Sequence, residues 1–338
     1  MRKVVLTGRG GPEVLRLENA ADPTPKEGEL RIAVRAAGVN FADILMRQGV
    51  YPGAHKTPCV PGYEVAGVVD EVGEGVNPIW VGREVLALTD YDGYADTHVI
   101  DANRVLPIPP GLDFTSAAAL PLNYVTAWVL LIVMGSLRSD QTVLIHNVGG
   151  GVGLAALDIA QHAGARTLGT ASPGKHAFLN ERGLDHAIDY RKKSWSDEIP
   201  DLTQGAGVDL IIDPLGPNSW KKSIRLLGPT GRLGMFGISD ASAEGLTGKL
   251  RLIKGFARAP SYASPSLVTG NRGVFGCNIH RMYESRTRLN RWLGRILEGV
   301  ESGWARPHVD RTFPLESAGE AQSWMEARRN IGKVVLTT

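Results

Sequence analysis

The segment Thr142–Gly153, TVLIHNVGGGVG, places an apolar run, a glycine cluster and the start of a helical pattern in direct succession. Glycines let the backbone turn sharply and approach a pyrophosphate, and a helix start offers free N–H groups and the positive end of its dipole. That chemistry is dinucleotide binding, with Gly150, Gly151, Val152 and Gly153 at the phosphates. The strict G-x-G-x-x-G spacing is not met, because Val148 stands at its first glycine. The next strand-like run ends Gly169-Thr170-Ala171-Ser172-Pro173-Gly174-Lys175. An NAD site usually carries an acid about 20 residues past the turn to hold the ribose 2′-hydroxyl. Here no acid repels a 2′-phosphate, Ser172 can donate a hydrogen bond and Lys175 adds positive charge. With Thr170 at the strand end, and Tyr190 and Arg191 placed to close over the adenosine end, the cofactor expected is NADPH. The competing readings are a purely structural turn and a solvated Lys175.

These residues need elements to hold them. From Gln141 onward strands and helices alternate: strands over Thr142–Asn147, Arg166–Thr170, Ala187–Tyr190, Val208–Asp213 and Arg232–Ile238, and helices over Val152–Ala163, Lys175–Arg182 and Trp220–Leu227. Such alternation predicts a doubly wound parallel sheet covered on both faces, an α/β fold. The first third is instead a series of short β-prone runs separated by Gly/Pro turns: Val4–Thr7, Val14–Glu18, Leu30–Ala37, Val65–Val72, Glu84–Leu88 and Tyr94–Ile100. It reads as a barrel-like domain. Phe114–Met134 reads as helical with a break at Pro121, and Gly273–Ile279 as a further strand. Beyond Met282 the pattern gives a helix to about Glu301, a strand near His308–Phe313, a helix over Glu316–Arg329 and a strand over Lys333–Leu336. Between the strands Arg232–Ile238 and Gly273–Ile279 lies an irregular or amphipathic, basic and apolar excursion, Ser239–Asn271.

A chain of 338 residues exceeds a single core, so two domains are expected. The net charge of +2 gives no ground for a nucleic-acid partner, and the basic stretch Arg281–Arg295 carries leucines at helical spacing, as a solvated helix face does. Two cysteines, Cys59 and Cys277, make no disulfide scaffold. The start, MRKVVLTGRGG, has no signal-peptide apolar region, and no uncharged run reaches the ~18 residues that span a bilayer. A cytoplasmic enzyme is expected.

Taken together, the glycine turn, Ala-Ser-x-x-Lys (171–175) and Ile-Asp-Tyr (188–190) resemble the medium-chain dehydrogenase/reductase superfamily in its zinc-free quinone oxidoreductase group. GVNFADILMRQGVYP (Gly38–Pro52) and VPGYEVAGVVDEVGEGV (Val60–Val76) agree. VVLTGRGG (Val4–Gly11), DPLG (Asp213–Gly216), NRGVFG (Asn271–Gly276) and RNIGKVVL (Arg329–Leu336) are most similar to its synaptic vesicle amine transport protein branch. The resemblance implies a GroES-like catalytic domain from residues 1–121 and 277–338, an inserted Rossmann NADPH-binding domain of residues 122–276 that includes the excursion 239–271, and a homodimer. It implies Asn40, Tyr51 and Tyr63 as the catalytic positions: Asn40 hydrogen-bonding cofactor or substrate or else stabilising a turn, Tyr51 standing where related enoyl reductases carry a proton donor or else lining the cleft, and Tyr63 replacing a metal ligand or else filling its place. It adds Asn40, Tyr124, Thr126, Leu215, Phe236, Gly237, Ile238, Phe275, Gly276, Cys277, Arg328 and Asn330 to the cofactor contacts.

Zinc-dependent members place a Cys where this chain has Asn40 and a His where it has Tyr63, and two cysteines cannot form their four-cysteine lobe. No metal is therefore expected. Without a Lewis acid, alcohol oxidation is hard, whereas hydride donation to a quinone or enone needs only orientation and donors near the acceptor oxygen. The function expected is zinc-independent, NADPH-dependent reduction of a quinone or α,β-unsaturated carbonyl. The alternative is an NADPH-binding, weakly catalytic protein associated with a membrane or partner, as the excursion and the vesicle-protein resemblance suggest; a covering role for that segment is preferred over membrane contact.

Overall fold

The computed structural model describes residues 1–51, 55–239, 260 and 262–338. They form two compact units, Met1–Val125 with His280–Thr338, and Thr126–Ile279. The junctions fall a few residues after those expected at 121/122 and 276/277.

The first unit is a β-structure assembled from both ends of the chain. Its strands are β1 (Arg2–Leu6), β2 (Leu15–Asn19), β3 (Glu29–Val39), β4 (Glu64–Val72), β5 (Glu84–Leu88), β6 (Thr97–Asp101) and β7 (Val105–Pro107). The long β3 organises it: Leu30–Ala33 pairs antiparallel with β6, Ala36–Val39 pairs with the C-terminal strand, and the opposite edge pairs with β4, then β5 and β7. A one-residue register shift would turn its buried side chains outward, so Leu30, Ile32 and Val34, all buried, hold the pairing. The expected strand Tyr94–Ile100 is shorter, because Tyr94 gives its N–H to Pro61 and accepts from Val4 across to β1. A helix over Phe41–Arg47 follows Asn40; it is too short for a 3.6-residue pattern to stand out in the sequence.

The second unit carries β8 (Thr142–His146), β9 (Arg166–Ala171), β10 (His186–Asp189), β11 (Val208–Asp213), β12 (Leu227–Met235) and β13 (Gly273–Gly276). They pair in parallel in the order β10-β9-β8-β11-β12-β13. The helices Gly151–His162, His176–Glu181, Glu198–Leu202 and Pro217–Leu226 link them. The order reverses between β8 and β11, and the carboxyl ends there are where such sheets take ligands. The helix after Gly216 begins three residues earlier than expected, since Pro217 favours a first helical position. β12 also starts earlier, its register shifting between Val208 and Leu210 of β11.

Most of the excursion, 240–259 and 261, lies outside the described residues; its end is a helix, Ser264–Gly270. The C-terminal elements of the first unit are the helix Arg286–Glu301, β14 (Val309–Pro314), the helix Ala318–Glu326 and β15 (Lys333–Thr337).

Candidate functional site

In the second unit, β8 delivers the chain into Asn147, which adopts φ +55°, a left-handed conformation uncommon for a residue with a side chain. The turn closes with the Gly150 N–H on the Asn147 carbonyl, 2.9 Å, and the helix starts at Gly151 with no side chain capping it. Its first N–H groups lack intrahelical acceptors, as at any helix start. Glycine is required at 153 by close approach to the backbone: a Cβ there would lie 2.3 Å from the Asn147 carbonyl oxygen and 2.6 Å from that of Val148, while one on Gly150 would meet only the end of the Asn147 side chain, Nδ2 at 2.8 Å. Val148, out of place in the fingerprint, is fully buried against Gly169 of β9, where a Cβ would meet Val148 Cγ1 at 2.6 Å. The room usually made by a glycine in the turn is made here by one on the neighbouring strand.

Lys175 lies over this turn, its Cδ 2.9 Å from where a Cβ of Gly149 would be. Ser172 heads the short turn Pro173–Lys175 and is half-buried, and Tyr190, just past β10, is exposed. Thr170 differs from expectation. Its hydroxyl points inward, bonded to His146 Nδ1 at 3.1 Å and accepting the Asn147 N–H at 3.2 Å, so it supports the turn and does not face outward. At the ends of β11 and β12 the Leu215 N–H reaches Asp213 Oδ1 at 2.9 Å, and Gly237 lies so near Pro214 that a Cβ would stand 2.9 Å from its carbonyl oxygen. Phe236 and Ile238 flank that approach, half-buried. The Phe275 ring covers Gly234 of β12, Gly276 is exposed, and burial pushes the Cys277 thiol up to about 12, leaving it protonated at neutral pH. Thr126 is buried at the start of this unit.

The first unit holds Asn40, Tyr51, Tyr63, Tyr124, Arg328 and Asn330. Asn40 is 6% exposed and its amide is taken up: Nδ2 donates to Gly38 O at 3.2 Å and to Glu64 Oε1 at 3.0 Å, and Oδ1 accepts from Lys333 Nζ at 2.5 Å. Lys333 also pairs with Glu64 Oε1, and Glu64 Oε2 accepts the Leu122 N–H at 2.7 Å. A buried ammonium–carboxylate–amide cluster results. Sequence reasoning missed Lys333 and Glu64, which stand 269 residues apart. Asp43, on the helix after Asn40, accepts N–H groups from Asn40 and Gly62 and the Tyr94 hydroxyl, yet full burial raises its carboxyl to about 7.

Tyr63 belongs to a group of aromatic rings, and Tyr51 feels the charge of Tyr91 within it. Tyr91 stacks on His55 at 3.6 Å and lies 5.4 Å from Tyr63, and His280 bridges edge-on to Tyr91 and Tyr283. The hydroxyls of Tyr63, Tyr91 and Tyr283 are buried. Burial, reinforced by Tyr91 and Asp43, pushes the half-buried Tyr51 phenol up to about 12, so it keeps its proton at neutral pH. Tyr63 is pushed up further, by burial first and by Asp43 next. Tyr124 is buried, Asn330 Nδ2 donates to Gly332 O at 2.7 Å, and the exposed Arg328 adopts φ +55°.

The donor set at Asn40 and Tyr63 does not suit zinc. It offers an amide already bonded to a cation and a protonated phenol, where zinc takes thiolate, imidazole or carboxylate. Among the described residues no group of three or more His, Cys, Asp or Glu converges as metal ligands, and a second cation beside Lys333 would be repelled.

Two family models match: the alcohol dehydrogenase GroES-like domain over residues 26–110 and the zinc-binding dehydrogenase over residues 182–336. The human synaptic vesicle membrane protein VAT-1 homolog is 35% identical over 343 residues, covering 99% of this chain and 86% of its own. The Escherichia coli quinone oxidoreductase, solved in complex with NADPH, superposes with a TM-score of 0.87 at 27% identity over 100% of both chains. The JamJ enoyl reductase superposes at 0.85 with 26% identity, over 99% of this chain and 98% of that one. Sequence and fold therefore converge on oxidoreductases, and the chain belongs to the medium-chain dehydrogenase/reductase superfamily, in its VAT-1 branch.

Proposed function

We propose that this chain is a zinc-independent, NADPH-dependent reductase of quinones or α,β-unsaturated carbonyls. The observation that carries it is the turn Asn147–Gly153 with Lys175 laid across it and no acid at the end of β9. The N–H groups at Gly151–Gly153 suit a pyrophosphate, and Ser172 with Lys175 suit a ribose 2′-phosphate. Bound there, the cofactor supplies a hydride. The first unit's part is to hold the acceptor and to manage its proton. Reduction of an enone adds hydride at the β-carbon and a proton at the α-carbon; a quinone takes hydride and a proton to become a hydroquinone. Tyr51, protonated at neutral pH, is the donor this reading assigns, with water as the alternative for quinones. Asn40 acts by ordering the Lys333–Glu64 cluster.

The E. coli enzyme's complex and the reductase fold support this reading. Purified protein is expected to oxidise NADPH in the presence of members of a quinone and enone panel. Rates no faster than buffer across the panel would end the proposal, and a preference for NADH would end the cofactor assignment alone. Tyr51→Phe is expected to lower kcat for enones about 100-fold while leaving NADPH binding unchanged.

We read the protein as a cytoplasmic homodimer. The relative's vesicle-membrane name favours a second reading, peripheral membrane attachment; no described helix is long and apolar enough to cross a membrane. Co-sedimentation with anionic vesicles separates the two.

A further inference from the structure

The second unit contains a buried polar chain behind the glycine turn. It joins the carboxyl ends of β8, β9 and β11 to the helix Pro217–Leu226. Its members, His146, Thr170, Asp213 and Ser223, are each at most 2% exposed. Asp213 Oδ2 accepts from Ser223 Oγ and from Ser219 Oγ, both at 2.7 Å. A serine has one hydroxyl proton. With that proton on Asp213, Ser223 Oγ can only accept from His146 Nε2, 3.1 Å away. Nε2 then carries the ring hydrogen. Nδ1 of the neutral ring must accept, and the group 3.1 Å from it is the Thr170 hydroxyl. With its own proton committed to Nδ1, Thr170 Oγ1 accepts the Asn147 N–H at 3.2 Å. For a neutral ring the direction of each bond follows from the one before it, and Asp213 Oδ2 also lies 3.8 Å from Nε2.

This chain runs from a carboxylate to the first amide of the glycine turn. Asn147 is the residue held at φ +55°, and its carbonyl receives the Gly150 N–H that closes the turn. The same carboxylate, through Oδ1, holds the Leu215 N–H in the second loop at the sheet's carboxyl edge. We infer that Asp213, Ser223, His146 and Thr170 form a positioning chain for the dinucleotide, with His146 held neutral as the Nε2–H tautomer, so that the turn is set for a pyrophosphate before one arrives. A preset turn binds more tightly because less ordering remains for the complex to do. The inference rests on the cofactor reading above.

Ser219 supplies the control, since its bond to Asp213 Oδ2 has the same length but lies off the path to Asn147. The dissociation constant for NADPH, read from nicotinamide fluorescence, is expected to rise about tenfold in Thr170→Val and in Ser223→Ala. It should stay within about twofold of wild type in Ser219→Ala. Thr170→Ser, which keeps the hydroxyl, should restore binding. At saturating NADPH, kcat should not fall in Thr170→Val or Ser223→Ala, so the defect appears in KM. Equal effects of Ser223→Ala and Ser219→Ala, or wild-type affinity in Thr170→Val, would overturn the inference. In wild-type protein labelled with nitrogen-15 histidine, His146 should show a protonated Nε2 and a bare Nδ1. A doubly protonated ring or the opposite tautomer would overturn it even where a variant loses its fold. Wild-type protein that binds no NADPH would instead defeat the cofactor reading and leave the tautomer result standing on its own.

Discussion

Asn40 shows how one residue type carries different consequences in different surroundings. Its position makes it a natural candidate to face a substrate, yet each polar atom of its amide is bonded to Gly38, Glu64 or Lys333. An amide so placed orients a buried charge pair. Thr170 and Tyr63 make the same point, one turned inward under the glycine loop, the other buried among rings. Burial also sets titration. His98 on β6 is held at about 4, below the ordinary 6.5, first by burial and also by nearby Arg104. Between pH 6.5 and 4 the native state therefore holds fewer protons than the unfolded chain, and stability is lost as pH falls through that window. The shift corresponds to about 3 kcal/mol. His98→Gln should flatten the fall in melting temperature from pH 6.5 to 4; an unchanged slope would show that His98 is not its source.

At the scale of elements, the glycine turn depends on distances that only hydrogen can fill. Gly153→Ala should lower stability by about 1–3 kcal/mol and weaken cofactor binding, because its Cβ would be forced onto the Val148 carbonyl. Gly294 lies within the helix Arg286–Glu301 with nothing within 4 Å of its would-be Cβ. Gly294→Ala should stabilise by about 0.5–1 kcal/mol, as alanine does in an unobstructed helix. Thermal melts of both variants check the pair, and a destabilised Gly294→Ala would count against the packing described. Most of these elements were legible in the sequence. β8 and β11 follow apolar runs, and the helix Gly151–His162 follows from 3.6-residue spacing, whereas the five-residue helix Glu198–Leu202 was not read from the sequence. The helix Phe41–Arg47 and strand β7 were not legible, since each is too short to display a period.

On the scale of the whole molecule, the first unit is closed by contacts between distant parts of the chain. β15 returns from the C-terminus to pair with β3, and Lys333 at its start reaches Glu64 and Asn40. Removing one partner of a buried pair leaves a charge uncompensated. Lys333→Met should therefore destabilise by about 3–5 kcal/mol, and adding Glu64→Gln should recover part of that loss. Denaturant titrations of both variants test this, and a double variant no more stable than Lys333→Met would argue against the pairing. The sequence by itself determined the α/β class, the glycine turn after β8 and the unsuitability of the Asn40 and Tyr63 side chains as zinc donors. Strand periods, the sterics of glycine and the donor chemistry of a side chain are all properties of neighbours along the chain. Only the tertiary structure decided that Val148 packs into the space left by Gly169, that Thr170 faces inward and that Lys333 is the cation beside Asn40. Those outcomes depend on which strands pair and in what register, and burial then sets what each polar atom must bond to.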